Sequence, residues 1–126
     1  MRKLLGLIAA AVLLTSCSSA VGVTNMSAAD FLNKSQESGV VVIDVRTAGE
    51  YAQGHLANSL NIDVEAGEFE TEIAKLDKSV SYAVYCRSGR RSSIAAEKMA
   101  KAGFTEIFNL KSGGFSDLAQ IGAPTS

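Results

Sequence analysis

The stretch Val80-Ser81-Tyr82-Ala83-Val84-Tyr85-Cys86-Arg87-Ser88-Gly89-Arg90-Arg91-Ser92 decides how this chain is read. Val80 to Tyr85 alternates and is rich in β-branched and aromatic residues, the pattern of a strand, whereas Ile94 to Ala102 has helical spacing. A thiol therefore stands where a strand hands over to a helix.

The first N–H groups of a helix lack internal partners and carry the positive end of its dipole, so they favour an anion. If Arg87 to Ser92 curl around the sulfur, successive N–H groups form a nest for a thiolate, a persulfide or an oxyanion. Gly89, Ser88 and Ser92 permit the tight path. Arg87, Arg90 and Arg91 add positive potential, under which Cys86 becomes a thiolate nucleophile near neutral pH. The competing readings are a buried Cys acting as a small hydrophobe and a solvated basic face.

Outward from this loop, the chain alternates strands with helices. Val40 to Val45 is a continuous β-branched run, typical of a strand covered on both faces of a parallel sheet. Ser27-Ala28-Ala29-Asp30 has the form of a helix start, and the helix that follows ends at Gly39. Thr47 to Gln53 allows a helical turn, broken by Gly54-His55, and Ser59 to Ile62 allows a short strand. Glu65 to Leu76 places Phe69, Ile73 and Leu76 on one helical side. The helix after the loop runs from Ser92 to Ala102, Glu106 to Leu110 reads as a strand, Gly113-Gly114 turns the chain, and Phe115 to Gln120 forms a last short helix. The whole predicts an α/β domain with a mainly parallel central sheet flanked by helices, whose ligands lie beyond the carboxyl ends of the strands.

The chain begins with an address. Arg2 and Lys3 precede the apolar run Leu4 to Leu14, and small residues follow, which is the layout of a secretory signal and too short to span a bilayer. Leu14-Thr15-Ser16-Cys17 resembles the lipobox of bacterial lipoproteins, which implies a lipid on Cys17. The expected organisation is a signal peptide at 1–16, the lipidated Cys17 and a tether at 17–25, and a single domain at 26–126. It implies an exported, membrane-anchored protein, on a periplasmic leaflet or at the cell surface. Residues 17–126 keep ten basic and thirteen acidic side chains, a net charge of −3, which offers no field for nucleic acid. Two cysteines in an exported chain first suggest a disulfide, but a lipidated Cys17 leaves Cys86 without a partner. A free thiol outside the cytoplasm is a liability unless it has work to do.

Asp44-Val45-Arg46, Glu50-Tyr51, Gly54-His55-Leu56 and Asn61-Ile62, together with Cys86 to Ser92, closely resemble the single-domain rhodanese family. Asn109-Leu110, Gly113-Gly114-Phe115 and Gly122-Ala123-Pro124 extend the match. Leu118 stands where many members carry Trp, which suggests altered packing near the terminus, and Asn58 where many carry Gly, a mild change because Asn tolerates a left-handed backbone.

The resemblance implies a rhodanese-like fold and a thiosulfate sulfurtransferase. In that family the loop cysteine takes the outer sulfur of thiosulfate or a similar sulfane donor as a persulfide and passes it to cyanide, a thiol or a protein. Cys86 would be the nucleophile, the backbone of Arg87, Ser88, Gly89, Arg90, Arg91 and Ser92 the cradle, and Arg87 with Arg90 or Arg91 the attraction for a small anionic donor. Asp44, Arg46, Glu50 and His55 would be structural support, since attack on sulfane sulfur needs no general base. No metal or organic cofactor is implied, and one Cys with one His makes no metal site. Phosphatases and arsenate reductases use a C-x5-R loop, but the sixth position after Cys86 is Ser92, and Arg91 falls one residue short. The alternative of a different class is a membrane-tethered persulfide carrier or sulfur-binding module without efficient thiosulfate turnover.

Overall fold

The computed structural model describes residues 21–126; the expected signal peptide and Cys17 lie outside them. Two apolar runs make the centre of the sheet. Strand β2 (Val40–Asp44) pairs with β4 (Ser81–Tyr85) in register from Val40↔Ser81 to Asp44↔Tyr85. Strand β5 (Ile107–Ser112) flanks β4 on the far side, with β1 (Val23–Ser27) at one edge and β3 (Leu60–Asn61) at the other. The order is β1-β5-β4-β2-β3, and every pair is parallel.

Alternation along these strands sorts the core into two layers. Ile43, Tyr82, Val84 and Ile107 face α3 (Phe69–Ile73) and α4 (Arg90–Lys101), where Phe69, Ile73, Ala96 and Met99 complete the layer. Val42, Ala83, Tyr85 and Phe108 pack with Phe31 of α1 (Ala28–Ser35) and Leu118 of α5 (Phe115–Gln120) on the other side. Cys86 continues the odd and even count of Val84 and joins the first layer. Two helix starts carry side-chain caps: Ser27 Oγ accepts from the Asp30 N–H, as the sequence implies, and Thr47 with Glu50 forms a capping box on α2 (Ala48–Gln53). Leu118 is fully buried, and Asn58 adopts the left-handed region at φ 66°.

Of the boundaries that differ from the sequence expectation, three bear on the tether, on α3 and on the cysteine loop. The tether drawn to Asn25 stops sooner, because β1 begins at Val23 and pairs with β5 from Val23↔Ile107. An edge strand with Thr24 and Asn25 exposed gives little periodic signal. The helix expected over Glu65–Leu76 contracts to Phe69–Ile73, preceded by turns in which Ala66 N–H donates to the Asp63 carbonyl and Phe69 N–H to that of Ala66. Helix α4 starts at Arg90 rather than Ser92, so part of the cysteine loop is already its first turn.

Candidate active site

Strand β4 delivers Cys86 beyond the carboxyl end of the sheet, and α4 begins four residues later. Its sulfur is fully covered: Cys86 is 0 % exposed. The Gly89 N–H donates to Sγ at 3.1 Å, and Sγ lies 3.6 Å from Ser92 Oγ. Ser92 Oγ also contacts the carbonyls of Leu110 (3.1 Å) and Gly89 (3.3 Å). Its single proton can serve a carbonyl when Cys86 is a thiol and turn to the sulfur when Cys86 is a thiolate. Burial alone pushes the thiol up. Hydrogen bonds from the Ser92 side chain and from the backbone at Ser92, Ser88 and Gly89 outweigh it, and the thiol sits below its ordinary value.

Two glycines clamp this loop. Gly89 caps α4 at φ +95°, and a Cβ there would lie 2.0 Å from the Lys111 carbonyl oxygen. Gly114 is extended at φ −163°, so its constraint is space alone: a Cβ would lie 1.9 Å from the Arg87 carbonyl oxygen and 2.6 Å from that of Cys86. The next residue, Phe115, donates its N–H to the Cys86 carbonyl at 3.0 Å. Gly114 and the Leu110 carbonyl thus belong to the site, although the sequence presents Gly113-Gly114 as a turn and a stretch of the family resemblance, with no role at the sulfur. The doubled glycine beside an aromatic was the available signal.

The arginines divide. Arg91 turns both terminal nitrogens to Glu50, at 2.7 and 3.0 Å, and its side chain is only 14 % exposed. That hydrogen-bonded guanidinium holds the Glu50 carboxyl at about 2, so the pair stays charged at neutral pH. The side chain expected to attract an anion is thereby a strut between α4 and α2. Arg90 projects at the surface, 3.6 Å from Glu65. Arg87 lines a polar depression of about 400 Å³ with Arg46, Gln53, Phe115 and Ser116. A second groove, about 420 Å³ between Leu32, Val40, Leu60 and Pro124, contains no titratable side chain and does not include the loop.

Behind the depression lies a buried ionic network. Arg46 Nε donates to Asp44 Oδ1 at 3.0 Å and Nη2 to Oδ2 at 2.7 Å, while Nη2 also reaches the Gly54 carbonyl at 2.7 Å. Tyr85 donates its hydroxyl to Asp44 Oδ2 at 2.6 Å and accepts from the Leu56 N–H at 3.0 Å. Burial, helped by Asp44, pushes the Tyr85 phenol well up, so it stays a donor. His55 stacks on Tyr51 at 3.6 Å, and its Nδ1 lies 2.8 Å from the Tyr51 carbonyl oxygen. These residues hold the loop after α2 against the end of β2; none contacts Sγ. Asp44→Ala should cost about 3–5 kcal/mol in urea unfolding, because it strands a buried guanidinium and a phenol. A loss below about 1 kcal/mol would mean that the network is not a stabilising unit.

A family model described as Rhodanese-like domain matches residues 27–120. Thiosulfate sulfurtransferase PspE of Escherichia coli is 35% identical over 77 residues, which span 61% of this chain and 72% of that protein. A sulfurtransferase of Allochromatium vinosum is 31% identical over 85 residues, 68% of this chain and 77% of the other. The putative sulfur carrier protein YrkF of Bacillus subtilis is 35% identical over 72 residues, 57% of this chain but 38% of that protein. Among solved structures, a rhodanese-related protein of Thermoplasma volcanium superposes with a TM-score of 0.68 at 30% identity, covering 81% of this chain and 96% of the other.

Proposed function

This chain belongs to the rhodanese-like domain family, and from that premise we propose that it is a sulfurtransferase that moves sulfane sulfur through a persulfide on Cys86. Family membership and the sulfurtransferases among its relatives support sulfur transfer in general. The observation that carries the finer reading is the cradle: a buried Sγ with the Gly89 N–H at 3.1 Å and the thiol lowered by several donors.

In the first half-reaction the Cys86 thiolate attacks the outer sulfur of thiosulfate. The new S–S bond forms as the old one breaks, and sulfite leaves with its electron pair. In the second, cyanide or a thiolate attacks the outer persulfide sulfur, and the Cys86 thiolate departs with the electron pair it first supplied. The cradle suits both halves because thiolate and persulfide are both anions and N–H groups directed at the loop's centre favour negative charge there. Arg87, facing the depression, draws the anionic donor, and no general base is needed.

Multiple-turnover assay with thiosulfate and cyanide tests this. Many equivalents of thiocyanate, with parallel double-reciprocal lines, support the enzyme; one equivalent or none would exclude thiosulfate turnover. The carrier reading draws on the likeness to YrkF and on the complete cover of Cys86. A single stoichiometric transfer would favour it.

We further propose export and lipidation at Cys17, on the strength of Arg2, Lys3, the apolar run to Leu14 and Leu14-Thr15-Ser16-Cys17. β1 runs parallel to β4, so the described chain enters the sheet at the end opposite Cys86. In a bacterial host, labelling with a fatty-acid analogue should mark the membrane fraction of the wild type, and Cys17→Ser should lose both label and membrane association. An unlabelled wild type would sink the proposal.

A further inference from the structure

Asn109 is an anomaly in the core. It lies in the middle of β5, between β1 and β4, on the side that Ile107 presents to α4, and it is 1 % exposed. Strand interiors facing a helix are normally apolar. Its amide nitrogen donates to Asn25 Oδ1 at 2.9 Å and to Ser93 Oγ at 3.0 Å. Its own oxygen is buried and has no hydrogen-bond partner among the described residues. An unpaired buried acceptor is destabilising, a cost a leucine would avoid, so the amide is kept for what its N–H groups do.

What they do is set by Ser93. The Ser93 hydroxyl has one proton and gives it to the Gly89 carbonyl at 2.6 Å, so it accepts from Asn109. The Ser93 N–H reaches the same carbonyl at 3.2 Å. Gly89 donates its own N–H to Cys86 Sγ. A glycine at φ +95° has no Cβ to restrict it, so its orientation must be imposed from outside.

We propose that Asn109 and Ser93 are positioning residues for the sulfur cradle: the chain of hydrogen bonds Asn25–Asn109–Ser93–Gly89 ties the edge strand β1 to the carbonyl of the residue whose N–H faces Cys86. None of the three side chains at its start touches the sulfur. They act by fixing the direction of the Gly89 carbonyl and so the Gly89–Arg90 peptide plane, which leaves the preceding plane, with the Gly89 N–H that faces Cys86, only the φ and ψ of Gly89 through which to move. The consequence for turnover rests on the sulfur-transfer reading; the consequence for the thiol does not.

The test is the pH dependence of Cys86 alkylation by iodoacetamide, in chains carrying Cys17→Ser so that one thiol reports. Ser93→Ala and Asn109→Leu should each raise the midpoint by about half a pH unit, which is roughly three-fold slower alkylation well below it. Ser93→Thr, which keeps the hydroxyl, should restore the wild-type midpoint. A purely structural role would change unfolding and leave the midpoint where it was. An unchanged midpoint in folded Ser93→Ala overturns the proposal, and that variant decides alone if Asn109→Leu does not fold. If wild type makes no thiocyanate while the midpoints still shift, sulfur transfer fails and the positioning role stands.

Discussion

Gly114→Ala is expected to lower sulfur transfer by about a hundredfold or more, because it forces the cysteine loop and the turn after β5 apart. The added Cβ would meet the Arg87 carbonyl oxygen at 1.9 Å and its carbon at 2.2 Å, both backbone atoms that cannot swing aside as a side chain would. Separation by an ångström or more breaks the Phe115 N–H bond to the Cys86 carbonyl, now 3.0 Å, and moves the sulfur relative to its donors. Overpacking of this kind also costs about 1–3 kcal/mol, so thermal unfolding should fall together with turnover. Gly67→Ala is the matched control, since nothing lies within 4 Å of a Cβ there. Wild-type turnover in Gly114→Ala would show that the clamp is not needed.

Cys86→Ala should remove turnover entirely while leaving a folded domain. Cys86 belongs to the α4 core layer and is 0 % exposed, so truncation leaves only a sulfur-sized void. A stability loss of about 1 kcal/mol follows from a cavity that small. Loss of thiocyanate production with near-native circular dichroism is therefore the expected pair of results. Residual turnover would place the nucleophile elsewhere. Cys86→Ser should be equally inactive, since a hydroxyl is a far weaker acid and a poorer nucleophile toward sulfur than a thiol.

Much of this architecture is written in local sequence. Val40–Asp44 and Ser81–Tyr85 are continuous or alternating apolar runs, and they are two interior strands that share the longest uninterrupted register, across β2 and β4. Cys86 with Gly89 and three arginines announces an anion-stabilising loop because that chemistry needs those residue types close together. What escaped depends on partners distant in the chain. Arg91 reads as a free cation until Glu50, 41 residues away, is found beside it. Gly114 reads as a turn until the Arg87 carbonyl is found where its side chain would be. Asn109 reads as one residue of a strand, and only the fold brings Ser93 and Asn25 to its amide. β1 escaped because an edge strand with two exposed central residues has no buried periodicity to display.

The persulfide is the centre of this account, and intact-mass analysis of the reduced Cys17→Ser chain after thiosulfate treatment tests it most directly. The expected result is a gain of one sulfur atom, absent from the same chain carrying Cys86→Ala and removed by cyanide with release of thiocyanate. No gain in mass, or a gain that persists when Cys86 is alanine, would contradict it.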